Sequence, residues 1–200
     1  LKDNSWINMG FIKTKNQLVR LPKNVQLYQQ TYEKQILPDG VVQIKLNVFP
    51  DDQGGWFKEA LRIDKDGNVE SLIQAGVSFK VRQTNVSYLG AGAKRFWHIH
   101  PDTKNRVGQN EIWTTNATLL LGLIDLRKDS KTYNQKSKIV LSQDRAVYIP
   151  AGVAHGLLNP NNYPVTLIYY TDQQFNLEDT QEFRIDPKDM DFDFVESELM

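Results

Sequence analysis

The sequence predicts an all-β fold, an antiparallel sandwich or barrel with short helical segments. From residue 41 onward, short runs of β-branched and aromatic residues alternate with turns rich in Gly, Pro, Asn and Asp. Helical periodicity is weak throughout, and residues 56–62 form the one candidate helical turn. The predicted strands are residues 41–49, 77–86, 95–100, 111–115, 118–125, 138–141, 146–149 and 165–170.

Composition limits the classes of protein to which the chain could belong. With 200 residues, of which 40% are hydrophobic, the chain is long enough for one domain with a substantial core. Lys and Arg together number 24, as do Asp and Glu, so the zero net charge argues against overall electrostatic attraction to nucleic acid or anionic membranes. The absence of cysteine excludes a disulfide scaffold and a thiol nucleophile.

Domain organisation is predicted from a change in composition near residue 40. Residues 1–40 are rich in Asn and Gln and are expected to form an N-terminal arm, with a short helix or strand at residues 24–35. Residues 41–200 are expected to form a single β domain. Residues 1–20 lack the apolar segment of a signal peptide, which together with the absence of cysteine predicts a cytoplasmic location.

The chain has only three histidines, and their spacing is informative. His98 and His100 lie two residues apart in a predicted strand, so both imidazoles are expected to face the same side. Trp97 and Ile99 are then expected on the opposite face. The third histidine, His155, follows a Pro-Ala-Gly turn.

Two motifs surround these histidines and resemble those of the cupin superfamily. Residues 92–100 match G-x5-H-x-H, followed by an acid at Glu111, and residues 150–159 match P-x-G-x-x-H-x-x-x-N. The resemblance implies a double-stranded β-helix, or jelly-roll barrel, with the site inside it. Three imidazoles and a carboxylate suit a divalent metal such as Mn, Fe, Ni or Zn, with His98, His100, Glu111 and His155 as ligands.

Further segments resemble the dTDP-4-dehydrorhamnose 3,5-epimerase family of nucleotide-sugar enzymes over about residues 40–193. Residues 125–133 are similar to its D-[IL]-R-x-x-S-P-T-[FY] segment, and residues 149–156 to its I-P-x-G-x-A-H-G segment. The remaining similar segments are residues 51–59, 83–87, 95–98, 171–172 and 186–187.

The resemblance implies an epimerase that needs no cofactor. Such enzymes remove a proton from a carbon next to the 4-keto group of a dTDP-linked 6-deoxy sugar and return it on the opposite face. The family's base and its orienting acid match His98 and Asp186, and an unperturbed histidine titrates near neutral pH. A buried carboxylate would fix the tautomer of such a base.

The resemblance also implies substrate-binding residues and a homodimer. Gln83, Asn85, Arg95 and His155 match positions that line the family's pocket, and the guanidinium of Arg95 suits diphosphate oxygens. Trp56 and Glu59 match a segment that touches the nucleotide, often across the dimer. A chain of zero net charge with many aromatic residues fits such an assembly.

Two family residues are missing from this chain. The position of the family's lysine reads Asn110, or Glu111 with one gap, so a cation that would stabilise an enolate is lost. The position of its acid tyrosine reads Ile168, and Tyr170 is expected on the same strand face as its replacement, with Tyr169 facing away.

Three hypotheses therefore stay open at this point. The chain is an epimerase with a relocated acid, a metal-binding cupin, or an inactive relative that binds a sugar nucleotide. In the metal hypothesis His98 would be a ligand and could not also act as the base.

Overall fold

A computed structural model describes residues 11–13, 18–20, 36–180, 182–190 and 192. The chain divides into two compact units, Leu1–Lys34 and Gln35–Met200. In the first unit, β1 (Phe11–Lys13) pairs antiparallel with β2 (Leu18–Arg20). The element predicted at residues 24–35 lies outside the described residues.

The second unit contains the remaining described elements, most of them strands. They are β3 (Val42–Lys45), β4 (Val48–Pro50), β5 (Trp56–Lys58), α1 (Glu70–Gln74), β6 (Gln83–Leu89), β7 (Lys94–Ile99), β8 (Glu111–Thr115), β9 (Leu119–Asp125), β10 (Lys136–Leu141), β11 (Arg145–Ile149), β12 (Val153–Leu158), β13 (Val165–Thr171), β14 (Phe183–Arg184) and the 3-10 helix Pro187–Asp189.

Two five-stranded antiparallel sheets form the framework of this unit. Sheet I has the strand order β10-β9-β12-β7-β14, and sheet II has the order β3-β11-β8-β13-β6. Every strand pair described within them is antiparallel. The predicted jelly-roll fold class is therefore confirmed.

Apolar side chains from both sheets pack into one core. Leu121 and Leu123 of β9 belong to the same buried cluster as Val147 of β11 and Leu167 of β13. Burying side chains of this size contributes about 1.5–3 kcal/mol each, so this layer is a main source of stability. The two sheets are thus held face to face around the region that contains the histidines.

The outer faces of both sheets are covered as well. On sheet II, Leu72 of α1 packs in a buried cluster with Ile112 of β8. On sheet I, Trp97 is 1% exposed and contacts Phe192 edge to face at 4.7 Å between ring centroids. Trp97 therefore faces away from the histidines, as the two-residue alternation predicts.

Local structure differs from the prediction at the start of the domain. Residues 41–49 form two strands, β3 and β4, rather than one, and residues 56–62 do not form a helix. Phe57 of β5 stacks on Phe49 of β4 with ring centroids 6.2 Å apart, so tertiary pairing overrides the weak helical pattern. No helix among the described residues combines the length and the apolar character needed to cross a membrane.

Candidate active site

A cavity of about 390 Å³ lies between the two sheets and is lined by side chains from both. Its walls come from alternate residues of the strands, because every second side chain of a strand faces the same side. Sheet I and its extensions contribute Arg95, His98, His100, His155, Glu182 and Arg184. Sheet II and its extensions contribute Gln83, Asn85, Gln109, Glu111, Trp113 and Tyr169.

His98, on β7, lies in the cavity beside a carboxylate. Its Nδ1 is 3.6 Å from Oε1 of Glu182, and its side chain is 21% exposed. Partial burial lowers the pKa of His98, and the nearby Glu182 opposes that shift. Arg184 is also close and binds Glu182 at 3.1 Å, which orients the carboxylate. His98 is therefore a neutral imidazole at neutral pH with an acid facing one ring nitrogen.

His100, Glu111 and His155 form a buried cluster that joins the two sheets. Nε2 of His100 is 3.4 Å from Oε1 of Glu111, and Nε2 of His155 is 3.5 Å from Oε2 of the same carboxylate. One ligand atom from each of the three lies within 4.8 Å of the others. Gln109 Nε2 and Trp113 Nε1 donate to the carboxylate at 2.7 and 2.6 Å.

The orientation of the His155 ring is fixed by the main chain. Its Nδ1 lies 3.1 Å from the carbonyl oxygen of Val153, so Nδ1–H donates and Nε2 carries the lone pair. Burial, reinforced by repulsion from His100, lowers the pKa of His155 well below its ordinary value. Nε2 is fully buried and has no hydrogen-bond partner within the described part of the chain.

Of the four predicted metal ligands, the structure gathers three. His98 lies outside the cluster of His100, Glu111 and His155 and faces Glu182 instead. Its ring centroid is 6.2 Å from that of His155, which is its direct partner in the pairing of β7 with β12. The geometry therefore separates the predicted base from the other three residues.

The predicted substrate-binding residues Gln83, Asn85 and Arg95 line the same cavity. Gln83 Nε2 donates to Asn85 Oδ1 at 2.7 Å, which orders both amides. The guanidinium of Arg95 donates to Ser87 Oγ and, at 3.0 Å, to the main-chain carbonyl of Tyr88. Arg95 thus links β7 of sheet I to β6 of sheet II beside the cavity.

Comparison with known proteins identifies the family. The family model described as dTDP-4-dehydrorhamnose 3,5-epimerase matches residues 26–199. The chain belongs to the dTDP-4-dehydrorhamnose 3,5-epimerase family.

Two relatives and a solved structure are similar to this chain over most of its length. The spore coat polysaccharide biosynthesis protein SpsL of Bacillus subtilis is 32% identical over 152 residues, which cover 74% of this chain and 88% of SpsL. The dTDP-4-dehydrorhamnose 3,5-epimerase of Methanothermobacter thermautotrophicus is 29% identical over 174 residues, covering 80% and 86% of the two chains. A crystal structure of the Bacillus anthracis epimerase, with TDP and PPi bound, is 26% identical with a TM-score of 0.61 and covers 76% of this chain and 83% of that one.

The prediction that Tyr170 faces the site while Tyr169 faces away is wrong. Tyr169, not Tyr170, lines the cavity, and its ring lies 6.4 Å from that of Trp113. Tyr170 packs with the apolar cluster on the outer face of sheet II. The alternation along β13 turns Leu167 and Tyr169 toward the cavity and Tyr170 away from it.

The carboxylate beside His98 belongs to Glu182 and not to Asp186, the acid that the family resemblance predicts. Asp186 is exposed, precedes Pro187, and its carboxylate accepts from the main-chain nitrogen of Lys188 at 3.0 Å. It is the N-cap of the 3-10 helix, a role that suits an Asp-Pro pair. The predicted contact between His98 and Asp186 is not formed, and Glu182 takes that place.

Trp56 and Glu59 lie outside the lining of the cavity. Trp56 is exposed on β5, where Lys58 Nζ lies 5.7 Å from its ring centroid. Glu59 lines a separate groove of about 280 Å³ and pairs with Arg62 at 3.1 Å. The expectation that this segment of the family touches a nucleotide across a dimer stays a prediction.

Sequence reasoning missed several cavity residues, among them Gln109, Tyr169, Glu182 and Arg184. A strict two-residue count from Leu167 would have selected Tyr169. Glu182 and Arg184 lie at a strand, β14, of only two residues, which is too short to give an alternating pattern.

Proposed function

We propose that the chain epimerises a dTDP-linked 4-keto-6-deoxy sugar, with His98 as the base. Membership of the epimerase family and the TDP and PPi bound to the Bacillus anthracis relative support the substrate class. The observation that carries the proposal is that His98 and Tyr169 face one cavity from opposite sheets. Two proton-transfer groups on opposite sides of a carbon can remove its proton from one face and return one to the other, which inverts the centre.

In the proposed first step, Nε2 of His98 removes the proton from the carbon next to the ketone. The electron pair of the C–H bond forms a C–C double bond, and the ketone oxygen becomes an enolate oxygen. Glu182 faces Nδ1, so it favours the tautomer that leaves Nε2 free and stabilises the imidazolium that forms. The neutral starting state of His98 follows from its partial burial.

In the second step, the Tyr169 hydroxyl donates a proton to the opposite face of the same carbon. The enolate returns its electron pair to carbon as the ketone reforms. The Tyr169 phenolate then takes a proton from solvent and the His98 imidazolium releases one to solvent, which restores both groups. Burial, followed by the negative charges of Glu111 and Glu182, raises the pKa of Tyr169, so it holds its proton at neutral pH. Tyr169 therefore replaces Tyr170 in the role expected from the sequence.

Two guanidinium groups in the cavity suit the diphosphate of the proposed substrate. Arg95 and Arg184 line the same cavity as His98. An arginine binds phosphate oxygens through two parallel N–H donors, which fixes orientation as well as adding affinity. The sugar would then be held with its ring between the two sheets.

The test is exchange of deuterium from heavy water into a dTDP-4-keto-6-deoxyhexose, followed by NMR and mass spectrometry. The wild-type chain is expected to incorporate deuterium next to the ketone and to invert that centre. His98→Ala is expected to lower the exchange rate at least about 100-fold, because it removes the base. Tyr169→Phe is expected to retain exchange while losing inversion, since only the second proton transfer is blocked.

Tyr170→Phe is the matched control, because Tyr170 lies on the same strand but faces the outer apolar cluster. It is expected to exchange and invert at the wild-type rate. Binding of the sugar nucleotide without any exchange would contradict the proposal and favour an inactive, sugar-nucleotide-binding relative. Loss of inversion in Tyr170→Phe but not in Tyr169→Phe would contradict the assignment of the acid.

A further inference from the structure

We infer that His100, Glu111 and His155 bind one divalent transition-metal ion, and that His98 is not among its ligands. This inference concerns a cluster that the proposed proton transfers do not use. It stands on the geometry of the three side chains and does not depend on epimerase activity.

Two distances within the cluster match the separation of ligands around a common ion. Both imidazole nitrogens lie 3.4–3.5 Å from oxygens of the Glu111 carboxylate. That is longer than the 2.7–3.2 Å typical of an N–H···O hydrogen bond. Two ligands each about 2.0–2.1 Å from a tetrahedral ion lie about 3.3 Å apart. Each imidazole nitrogen is therefore at ligand spacing from an oxygen of Glu111, and one ligand atom from each of the three residues lies within 4.8 Å of the others.

The lone pair of His155 gives an independent indication. Its side chain is 3% exposed, Nδ1–H donates to Val153, and Nε2 faces Glu111 with no hydrogen-bond partner in the described residues. A buried nitrogen lone pair facing a carboxylate oxygen is repulsive unless a positive charge lies between them. A metal ion would accept electron pairs from both atoms.

Surrounding residues hold two of the three ligands, His155 and Glu111, as outer-shell partners usually do. The main-chain carbonyl of Val153 fixes the His155 tautomer, which is the common arrangement for a metal-bound histidine. Gln109 and Trp113 donate one hydrogen bond to each oxygen of Glu111, and a carboxylate has about four acceptor positions. Glu111 is thus oriented while lone pairs on both oxygens remain available.

The donor set indicates the chemical class of the ion. Two imidazoles and one carboxylate favour Zn²⁺, Fe²⁺, Co²⁺, Ni²⁺ or Mn²⁺ over Mg²⁺ and Ca²⁺, which prefer oxygen ligands. Three protein ligands leave at least one coordination position for a further molecule. Because all three side chains line the cavity, that position would face the space where a substrate oxygen can bind.

Metal titration of the untagged chain tests the inference in the absence of substrate. After EDTA treatment and removal of the chelator, Co²⁺ is added and followed by visible absorption, and Zn²⁺ by calorimetry. We expect one equivalent of each to bind, with Zn²⁺ displacing Co²⁺. In imidazole ¹⁵N spectra, Zn²⁺ is expected to shift the Nε2 signals of His100 and His155 but not those of His98.

Variants identify the ligands. Glu111→Gln preserves the shape of the side chain and is expected to weaken binding by at least about 100-fold, since even outer-shell changes cost about 10- to 100-fold. Glu182→Gln is the matched control, because Glu182 lines the same cavity outside the cluster, and it is expected to bind with wild-type affinity. His98→Ala is expected to retain one equivalent.

Several outcomes would overturn the inference. Binding of less than one equivalent, or unchanged ¹⁵N signals of His100 and His155, would indicate a shared proton between His100 and Glu111 instead of a metal. An equal loss of metal affinity in Glu111→Gln and Glu182→Gln would indicate nonspecific binding. Loss of binding in His98→Ala would restore the four-ligand set. The ¹⁵N measurement uses the wild-type chain, so it decides the matter even if Glu111→Gln does not fold.

Discussion

At the scale of single residues, Asp125 carries a buried charge that neighbouring donors compensate. Its carboxylate accepts from Arg127 Nε and Nη2 at 2.8 Å, from Ser130 Oγ at 2.5 Å and from Thr132 Oγ1 at 2.7 Å. Burial raises the pKa of Asp125, but the hydrogen bonds outweigh that effect and hold the pKa far below its usual value. Arg127 also donates to the main-chain carbonyl of Asp39, so Arg127 connects the loop after β9 to the segment before β3.

Asp125→Asn is expected to lower the free energy of unfolding by about 2–3 kcal/mol at pH 7, because it leaves the partly buried Arg127 guanidinium without its charged partner. A depressed folded pKa adds stability that is present above the unfolded pKa, near 4, and is lost as pH falls through the folded pKa. Urea unfolding at several pH values should show the difference between wild type and variant narrowing below about pH 4.

The control for this prediction is Asp129→Asn, because Asp129 is exposed four residues away. It is expected to change the free energy of unfolding by no more than about 0.5 kcal/mol. A difference between wild type and Asp125→Asn that stayed constant down to pH 2 would show that the charge of Asp125 is not the source of the stability.

At the scale of secondary-structure elements, β12 depends on a glycine where its main chain packs tightly against β7. A Cβ built on Gly156 would lie 2.5 Å from Cδ1 of Phe96 and 3.0 Å from the carbonyl oxygen of Arg95. The pairing of β12 with β7 shifts register between His155 and Leu157, at this same residue. Gly156 therefore allows the two histidine-bearing strands to pack together.

Gly156→Ala is expected to lower the free energy of unfolding by about 1–3 kcal/mol, since the new methyl group overlaps a ring and a main-chain atom. Gly90→Ala is the matched control, because a Cβ there would meet no atom within 4 Å. Chemical denaturation of both variants measures the difference. Equal stability of the two variants would contradict the close-packing argument.

A comparison of the predicted with the observed elements shows how much of the fold follows from the sequence alone. The strand Glu111–Thr115 was predicted with the observed bounds, and most other core strands were predicted to within a few residues, because alternating or continuous apolar runs mark them. The helix Glu70–Gln74 was missed, since five residues give too little periodicity. The family offset pointed to Ile168, and Tyr170 was chosen as its neighbour on the same strand face, whereas the structure places Tyr169 in the cavity. Glu182 could not be foreseen, because its position depends on how the C-terminal segment pairs with β7.

At the scale of the whole molecule, the cavity joins the two sheets. Arg95 of sheet I donates to Ser87 and to the main chain of Tyr88 in sheet II. Glu111 of sheet II faces both His100 and His155 of sheet I. A ligand that touches both walls binds only when the sheets are assembled, so it stabilises the folded domain as a unit.

Thermal and chemical unfolding with and without dTDP test this coupling. At a dTDP concentration of 100 times Kd, the free energy of unfolding is expected to rise by about 2.7 kcal/mol, because the ligand binds the folded state alone. Arg95→Gln is expected to reduce that increment at the same dTDP concentration by removing a phosphate-binding guanidinium. Arg62→Gln is the matched control, since Arg62 lies in the separate groove with Glu59 and should keep the full increment. If dTDP raised the free energy of unfolding equally in both variants, it would bind elsewhere than in the cavity between the sheets. If only Arg62→Gln lost this stabilisation, the nucleotide would bind in the outer groove.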